Sequence, residues 1–345
     1  MVNENQLFDK VILWTDIHYG LRNNSKEHNE ECNAFIDWMI EDAKKNNIKD
    51  CIFLGDYFHN RSSINVSTMH YGLAGMRKLN DYFDNVWFIV GNHDLFYKNK
   101  RDITSVEFAD EFSNIHLINE ITDIGGCTFV PFLVGDEWES LKQKNPKYFF
   151  GHFELPGYKL NSLVQMPDHG KESDTMFNCD TLFSGHFHKR QMKSTETDTK
   201  IVYIGNCFPH NFSDAWDDAR GSVILEWGEK PVFRNWPDAP KFRTADMSDV
   251  LEDPSYYLGP KVTIKVTLDI DLSVEELIFI KETYTKFYGL KDFNIVQAKN
   301  QLGSVELDGS ELQAESVDTI VADQISNIDS NTLEKSLLLE IYNSL

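Results

Sequence analysis

CIFLGDYFHN, residues 51–60, sets how the rest of the chain is read. Its first four residues, Cys51 to Leu54, are apolar, and a run this short and bulky suits a buried strand. Gly55 then breaks the run, and Asp56 and His59 follow, two side chains that can hold a metal ion. Working outward, the same grammar recurs in VILWTD (11–16), VWFIVGN (86–92), KYFFGHF (147–153), DTLFSGH (180–186) and IVYIGN (201–206). Between the early runs lie helical patterns at 27–46, with Phe35, Met39, Ile40 and Ala43 on one face, and at 65–83. Strand–helix–strand alternation with helices on the faces predicts an α/β sandwich around a mixed sheet. In open α/β sheets ligands bind beyond the carboxyl ends of the strands, where most polar clusters of this sequence fall.

Five short strings carry that polarity: DIH at 16–18, GDYFH at 55–59, GNHD at 91–94, GHF at 151–153 and GHFH at 185–188. Taken singly, each has an ordinary reading: a histidine after a strand bonds to a loop, and an aspartate in a turn caps a helix. Together they bring Asp16, His18, Asp56, Asn92, His152, His186 and His188 toward one edge of the sheet. Mixed carboxylate, imidazole and amide ligation suits a pair of divalent ions such as manganese, iron or zinc. One strand-end carboxylate can bridge two ions about 3.5–4 Å apart. The glycines before Asp56, Asn92, His152 and His186 are expected to let the backbone turn tightly there.

Composition sets the outer limits. The chain has 345 residues, 41% of them hydrophobic, enough for one substantial core and one or two small extra units. No run approaches the roughly 18 apolar residues of a membrane span. The polar start MVNENQLFDK does not read as a secretory signal. The five cysteines show no C-x-x-C pairing, which suits a reducing cytoplasm. A net charge of −22 argues against a protein that coats nucleic acid. Nine of the acids fall within 301–345, however, against Lys335 alone, so part of the acidity lies away from the expected active domain. Arg22, Arg61, Lys98, Lys100, Arg101, Lys189 and Arg190 all fall on loops entering the expected site. Against the acidic background they mark where a polyanion would approach.

Farther along, Pro231, Pro237 and Pro240 interrupt periodicity over 229–241 and predict a linker. Val262, Ile264, Val266, Leu268 and Ile270 alternate with polar residues as a half-buried strand does. Ser273 and Glu276 form a capping-box pattern opening a helix that Gly289 can close, and 293–298 reads as another strand. The expected division is an active domain over 1–230, a small β-α-β domain over 231–300, a polar linker over 301–312 and a helical tail over 313–345. Val317, Ile320, Val321 and Ile325, then Leu333, Leu337, Leu338 and Ile341, recur in the tail at helical spacing.

The order D-x-H, G-D, G-N-H-D, G-H, G-H-x-H over 11–227 resembles the calcineurin-like metallophosphoesterase superfamily. His59, three residues after Asp56, and YIG (203–205) with DARG (218–221) are similar to the SbcD-type double-strand-break repair nucleases. The whole layout resembles the nuclease subunit of phage recombination endonucleases. The resemblance implies a four-layer sandwich of mixed sheets flanked by helices, with a small α+β cap that handles DNA. It implies one ion on Asp16, His18, Asp56 and His188 and another on Asp56, Asn92, His152 and His186, both manganese. His93 would contact the scissile phosphate and help the leaving oxygen depart, and His59 would help place the phosphate and DNA end. The implied activity is exonuclease or endonuclease cleavage at double-stranded DNA ends in recombination and repair. The implied setting is a homodimer within a heterotetramer in the cytoplasm, the host's if phage-encoded, with the tail docked on an SbcC-type coiled-coil ATPase. A small-molecule or protein phosphatase of the same superfamily is the other enzyme the motifs admit. The stretch 154–180 matches no motif of the family.

Overall fold

The structure, a computed structural model, describes residues 6–161, 164–167 and 173–297. In chain order the strands are β1 (Lys10–Trp14), β2 (Asp50–Phe53), β3 (Asn85–Ile89), β4 (Ile115–Ile118), β5 (Thr122–Ile124), β6 (Cys127–Val130), β7 (Tyr148–Gly151) and β8 (Thr181–Ser184). They continue with β9 (Gln191–Ser194), β10 (Lys200–Tyr203), β11 (Gly221–Glu226), β12 (Val232–Asn235), β13 (Lys241–Asp246), β14 (Val262–Leu268) and β15 (Asp292–Gln297). The helical segments are α1 (Leu21–Asn24, a single turn), α2 (Lys26–Lys45), α3 (Val66–Tyr82), α4 (Met247–Glu252), α5 (Pro254–Tyr257) and α6 (Val274–Tyr288).

The six runs read as strands all form, and they divide between two six-stranded mixed sheets. The first has the order β12-β11-β1-β2-β3-β4 and the second β5-β6-β7-β8-β10-β9. Alternation along β1 shows how the layers stack. Ile12 and Trp14 face α2 and α3, packing with Phe35, Met39, Phe53 and Met76. Val11 and Leu13 face the other way, against Phe129, Phe150 and Phe183 of the second sheet. A successive pair pointing to opposite faces is the period of a strand, and both faces are apolar because both are covered. Trp14, Phe53 and Phe88 are fully buried, each worth about 1.5–3 kcal/mol on removal from water. The outer face of the second sheet buries Phe149, Leu182 and Tyr203 under Leu141, Phe153 and Phe177. Short 3-10 helices at Glu137–Gln143 and Asp174–Met176 lie along that part of the chain, so the fourth layer is thinner than the helical first.

β1, β2, β3 and β4 run parallel, as do β6, β7, β8 and β10. The carboxyl ends of β1, β2 and β3 meet those of β7 and β8 along one seam. There Asp16 N–H donates to Gly55 O at 3.0 Å, His18 N–H to Asp56 O at 3.2 Å, and Gly185 N–H to Gly151 O at 3.0 Å.

The stretch 229–241 is not the linker expected. It contains β12, which pairs antiparallel with β11 and extends the first sheet to Asn235. β12 is an edge strand with half-exposed Val232, and there prolines and weak alternation are tolerated. The third sheet is β13-β14-β15, all parallel, so the small unit has three strands rather than the expected two. β13 (KFRTAD) escaped reading because of its charges; Arg243, inside it, is buried and pairs with Asp218. Ser273 and Glu276 do form the capping box of α6, and Gly289 closes it at φ +65°. The expected linker at 301–312 and tail at 313–345 lie outside the described residues.

Candidate metal centre

Asp16, His18, Asp56 and His186 all have left-handed backbones, with φ of +51°, +51°, +64° and +77°. Non-glycine residues rarely adopt that region, at a cost on the order of 1 kcal/mol each, and such strain concentrates at functional sites. The turns at the strand ends aim these side chains inward. Of the four glycines expected to make the turns, only Gly55 is itself left-handed, at φ +105°. Gly91 serves close approach instead: a Cβ there would stand 2.3 Å from Asp56 Oδ1.

The side chains converge in two groups. Asp16, His18 and His188 form one, with His18 Nε2 3.8 Å and His188 Nε2 3.9 Å from Asp16 Oδ1. Asp56, His152 and His186 form the other, with His152 Nε2 3.4 Å from Asp56 Oδ2. Asp56 Oδ2 is also 3.6 Å from His18 Nε2, so one carboxylate oxygen faces both groups. Asn92 joins the second group: one amide atom lies 2.9 Å from His152 Nε2, 2.9 Å from His186 Nδ1 and 3.2 Å from Asp56 Oδ2.

Hydrogen bonds behind these groups fix which atoms face inward. His152 Nδ1 is 2.7 Å from Leu54 O, so Nδ1–H donates to that carbonyl and Nε2 is the atom turned toward Asp56. Asp16 Oδ2 accepts from Thr15 Oγ1 at 2.6 Å and from His186 N–H at 3.0 Å, tying the two sheets together. Asp56 Oδ1 accepts from His93 N–H at 2.8 Å.

Charge and burial agree with a cation site. Asp16 Oδ1 and both ring nitrogens of His18 are buried with no hydrogen-bond partner among the described residues. Buried lone pairs are costly unless something satisfies them. Burial raises Asp16 to about 7. Burial would raise Asp56 too, but His152, His93 and His18 around it hold its carboxyl well below the usual range. Burial would lower His152, but Asp56 and then Asp16 outweigh it and raise its pKa to about 9. Burial drives His18 well below its ordinary value and His188 to about 4. A carboxylate, several neutral imidazoles and an amide around one cavity are the donors that divalent ions take, so the residues fit two such ions.

His93 and His59 stand beside the first group without adding to the carboxylates. Their rings are stacked, centroids 5.3 Å apart, and the His93 ring lies 4.8 Å edge-on from His18. His93 Nδ1 is 2.7 Å from the His59 carbonyl, which leaves His93 Nε2 free for a ligand. Burial pushes His59 down to about 4 and also lowers His93.

The seven basic residues are placed unevenly. Arg61 Nη2 lies 3.1 Å from the outer amide atom of Asn92, at the mouth of the site. Lys98 and Lys100 are exposed, the latter with its ammonium 6.0 Å over the Tyr97 ring. Arg101 turns back to Glu137 and the carbonyls of Asn119 and Phe132. Arg22 pairs with Glu31 at 2.7 Å, Lys189 pairs with Asp217, and Arg190 bonds Ile204 O at 3.1 Å and Asn235 at 2.7 Å.

Three contributors escaped the reading of the sequence. Asp94, the last letter of GNHD, accepts from the N–H groups of Asp56, Tyr57 and Gly91, each at 2.9 Å, and so shapes the turn that presents Asp56. Its place in the string was the available signal. Glu154, at the start of the unmatched stretch, lies 3.4 Å from His186 Nε2. His210 is buried against His18 and His188, with ring centroids 5.5 and 5.3 Å away and neither nitrogen hydrogen-bonded among the described residues. No sequence pattern marks either of the last two.

Comparison with known proteins adds the following. A family model described as calcineurin-like phosphoesterase matches residues 10–190. Exonuclease subunit 1 of Enterobacteria phage T4 is 33% identical over 226 residues, covering 63% of this chain and 64% of the relative, so the chain spans less than two thirds of that relative's length. Among solved structures, a dimetal phosphatase from Danio rerio aligns over 68% of this chain and 96% of its own, at TM-score 0.42 and 10% identity. Nuclease MPE from Pseudomonas putida aligns over 63% of this chain and 84% of its own, at 0.33 and 15%. Overlaps that loose identify neither substrate nor reaction.

Proposed function

The chain belongs to the calcineurin-like phosphoesterase family, and from that premise we propose that it is a two-metal DNA nuclease active at double-stranded ends. The observation that carries this is Asp56 Oδ2, which faces His18 at 3.6 Å and His152 at 3.4 Å and so belongs to both ligand groups. The 33% identity to a phage exonuclease subunit supports a nucleic-acid substrate over a small phosphate ester. Manganese is the metal we assign to both positions. When bound, such ions supply a water of lowered pKa and neutralise charge on the phosphoryl oxygens.

The residues then divide the remaining work. Asp16, His18, Asp56 and His188 would hold one ion, and Asp56, Asn92, His152 and His186 the other. His93, held through Nδ1 by the His59 carbonyl, presents Nε2 to the scissile phosphate. Burial keeps it neutral at rest, and an arriving phosphate, being negative, favours its protonated form, which can donate to the departing oxygen. The His59 ring, stacked on His93, limits where the phosphate can sit. Arg61 reaches the same mouth and provides a fixed positive charge for the strand.

The rest of the assembly is part of the same reading. The three-stranded unit caps the site and guides the duplex, and the tail at 313–345 binds a coiled-coil ATPase of the SbcC type within a heterotetramer. Deleting 313–345 should leave cleavage by the isolated chain intact and abolish co-purification with that ATPase. The primary test incubates the purified chain with manganese and either linear duplex DNA or an aryl phosphate monoester. Cleavage of the duplex with little monoester turnover is expected; monoester turnover with intact DNA would make the chain a phosphatase.

A further inference from the structure

The segment that follows the GNHD string has no place in the chemistry above, yet it exposes three large apolar side chains. Phe96, Tyr97 and Ile103 are 42%, 40% and 48% exposed. They ride on a short hairpin closed by the bridge Leu95↔Thr104 and by Phe96 N–H donating to Ile103 O at 3.1 Å. The Phe96 and Tyr97 rings meet edge to face, with centroids 4.8 Å apart. Between them and Arg101 lie Lys98, Asn99 and Lys100, all exposed.

Both sides of the hairpin are fastened to the metal centre. On one side, Asp94 holds the backbone of Asp56, and Ser105 N–H donates to Asp94 O at 2.8 Å. On the other, Arg101 donates to the carbonyl of Phe132 at 2.8 Å, and the Phe132 ring lies 5.8 Å from that of His186. Arg101 is therefore an anchor for the hairpin. Three peptide units separate His93 from Phe96, at most about 11 Å along the chain, or about three nucleotides of a strand rising 3.4 Å each.

We propose that this hairpin is a stacking platform for unpaired bases at the DNA end, gripping the strand whose phosphate lies at His93. The inference rests on the nuclease reading and adds to it the form of substrate preferred. Aromatic faces stack on any base, and lysines beside them meet the adjoining phosphates, which is how sequence-tolerant single-strand sites are built. Anchored from both sides, the rings are held in place before the strand arrives, so little ordering entropy is lost on binding. The charge of Lys98 and Lys100 on a chain of net −22 selects a polyanion over an acidic protein surface.

The test is the double variant Phe96→Ala/Tyr97→Ala, whose side chains are exposed enough that the fold should survive. Cleavage is followed on a duplex with a frayed end, on the same duplex clamped shut by G·C pairs, and on bis(p-nitrophenyl) phosphate. KM for the frayed duplex should rise about tenfold, as expected for losing base stacking, with hydrolysis of the small diester unchanged. A terminal 2-aminopurine should be quenched by the native chain and not by the variant, and Phe96→Trp/Tyr97→Trp should restore the native KM. Unchanged KM for the frayed end, or an equal loss on the small diester, would overturn the platform. A native chain that hydrolyses the small diester and leaves all DNA intact would overturn the nuclease reading and the platform with it.

Discussion

The two halves of the candidate metal centre are unlike. In the half built on β1 and β8, the imidazoles of His18 and His188 stand 3.6–3.9 Å from the carboxylates of Asp16 and Asp56, and the His188 side chain is 27% exposed. In the half built on β2, β3, β7 and β8, His152 Nε2 stands 3.4 Å from Asp56, an Asn92 amide atom stands 2.9 Å from both imidazoles, and the His152 side chain is fully buried. The protonation differs too. The first half holds imidazoles kept neutral by burial, while in the second the Asp56 carboxylate draws a proton onto His152. In the absence of metal the second half is thus partly satisfied by its own internal ion pair. The first keeps buried lone pairs with no partner. Geometric compactness and readiness for a cation therefore fall on opposite sides of the same cavity, and Asp56 is the residue that joins them.

The largest effect should come from breaking that join. Asp56→Asn keeps the size of the side chain and removes its charge, which lies at the centre of both groups. Manganese-dependent cleavage should fall below detection while circular dichroism stays native, and metal analysis should show both positions weakened. If only one position empties, the halves are independent and the bridging role of Asp56 is wrong.

His93→Gln tests chemistry apart from ligation. The His93 side chain belongs to neither carboxylate group, and its backbone N–H, which bonds Asp56, survives the change. Turnover should drop about 100-fold, as when a positioned acid or phosphate contact is lost, with metal content unaltered. Loss of metal would instead make His93 a ligand.

Asp94→Asn should cost less, about 10- to 100-fold in activity or metal affinity, in line with other residues that orient ligands from behind. Asp94 acts through three backbone N–H groups around Asp56 and Gly91, and an amide can accept only part of what the carboxylate does. An activity loss larger than that of His93→Gln would mean Asp94 reaches the reaction directly.

How much of this was legible in the sequence follows the physics of each part. Buried strands such as VILWTD and CIFLGD declare themselves through unbroken apolar runs, and a capping box such as Ser273/Glu276 through local hydrogen bonding. Ligands placed by strand ends inherit that legibility, because the residue after a buried run must emerge at the sheet's edge. Edge strand β12 and charged strand β13 did not show, since exposure and ion pairing erase the apolar pattern. Nor could local spacing reveal that Arg101 pairs with Glu137, 36 residues away, or that His210, after β10, packs against His18, after β1. Contacts set by tertiary placement leave no periodic trace.

The smallest effect concerns the metal-free protein and reads the protonation contrast directly. Burial is the leading cause that lowers His18, His28, His59, His93, His188 and His210, with His28 at about 3 and His59 and His188 at about 4. Unfolded, each would titrate near the ordinary histidine value of about 6.5. Between that value and about 4, these six groups bind protons in the unfolded chain that they refuse in the folded one, so their contribution to stability falls as pH falls. His152 runs the other way: raised to about 9, it adds stability that is full below its unfolded value and lost as pH climbs through 9. Six groups act on the acid side and one on the alkaline side among these histidines, so the melting temperature of chelator-treated protein should peak between these limits. Burial also raises Asp16 and Asp94 to about 7, which opposes the histidines on the acid side, and raises the thiols of Cys32, Cys51, Cys127, Cys179 and Cys207, which adds to the alkaline decline. His152→Gln should remove the histidine part of the alkaline decline and leave the acid one. An acid decline abolished by that single change would mean that the two halves share one titration and that the contrast between them is false.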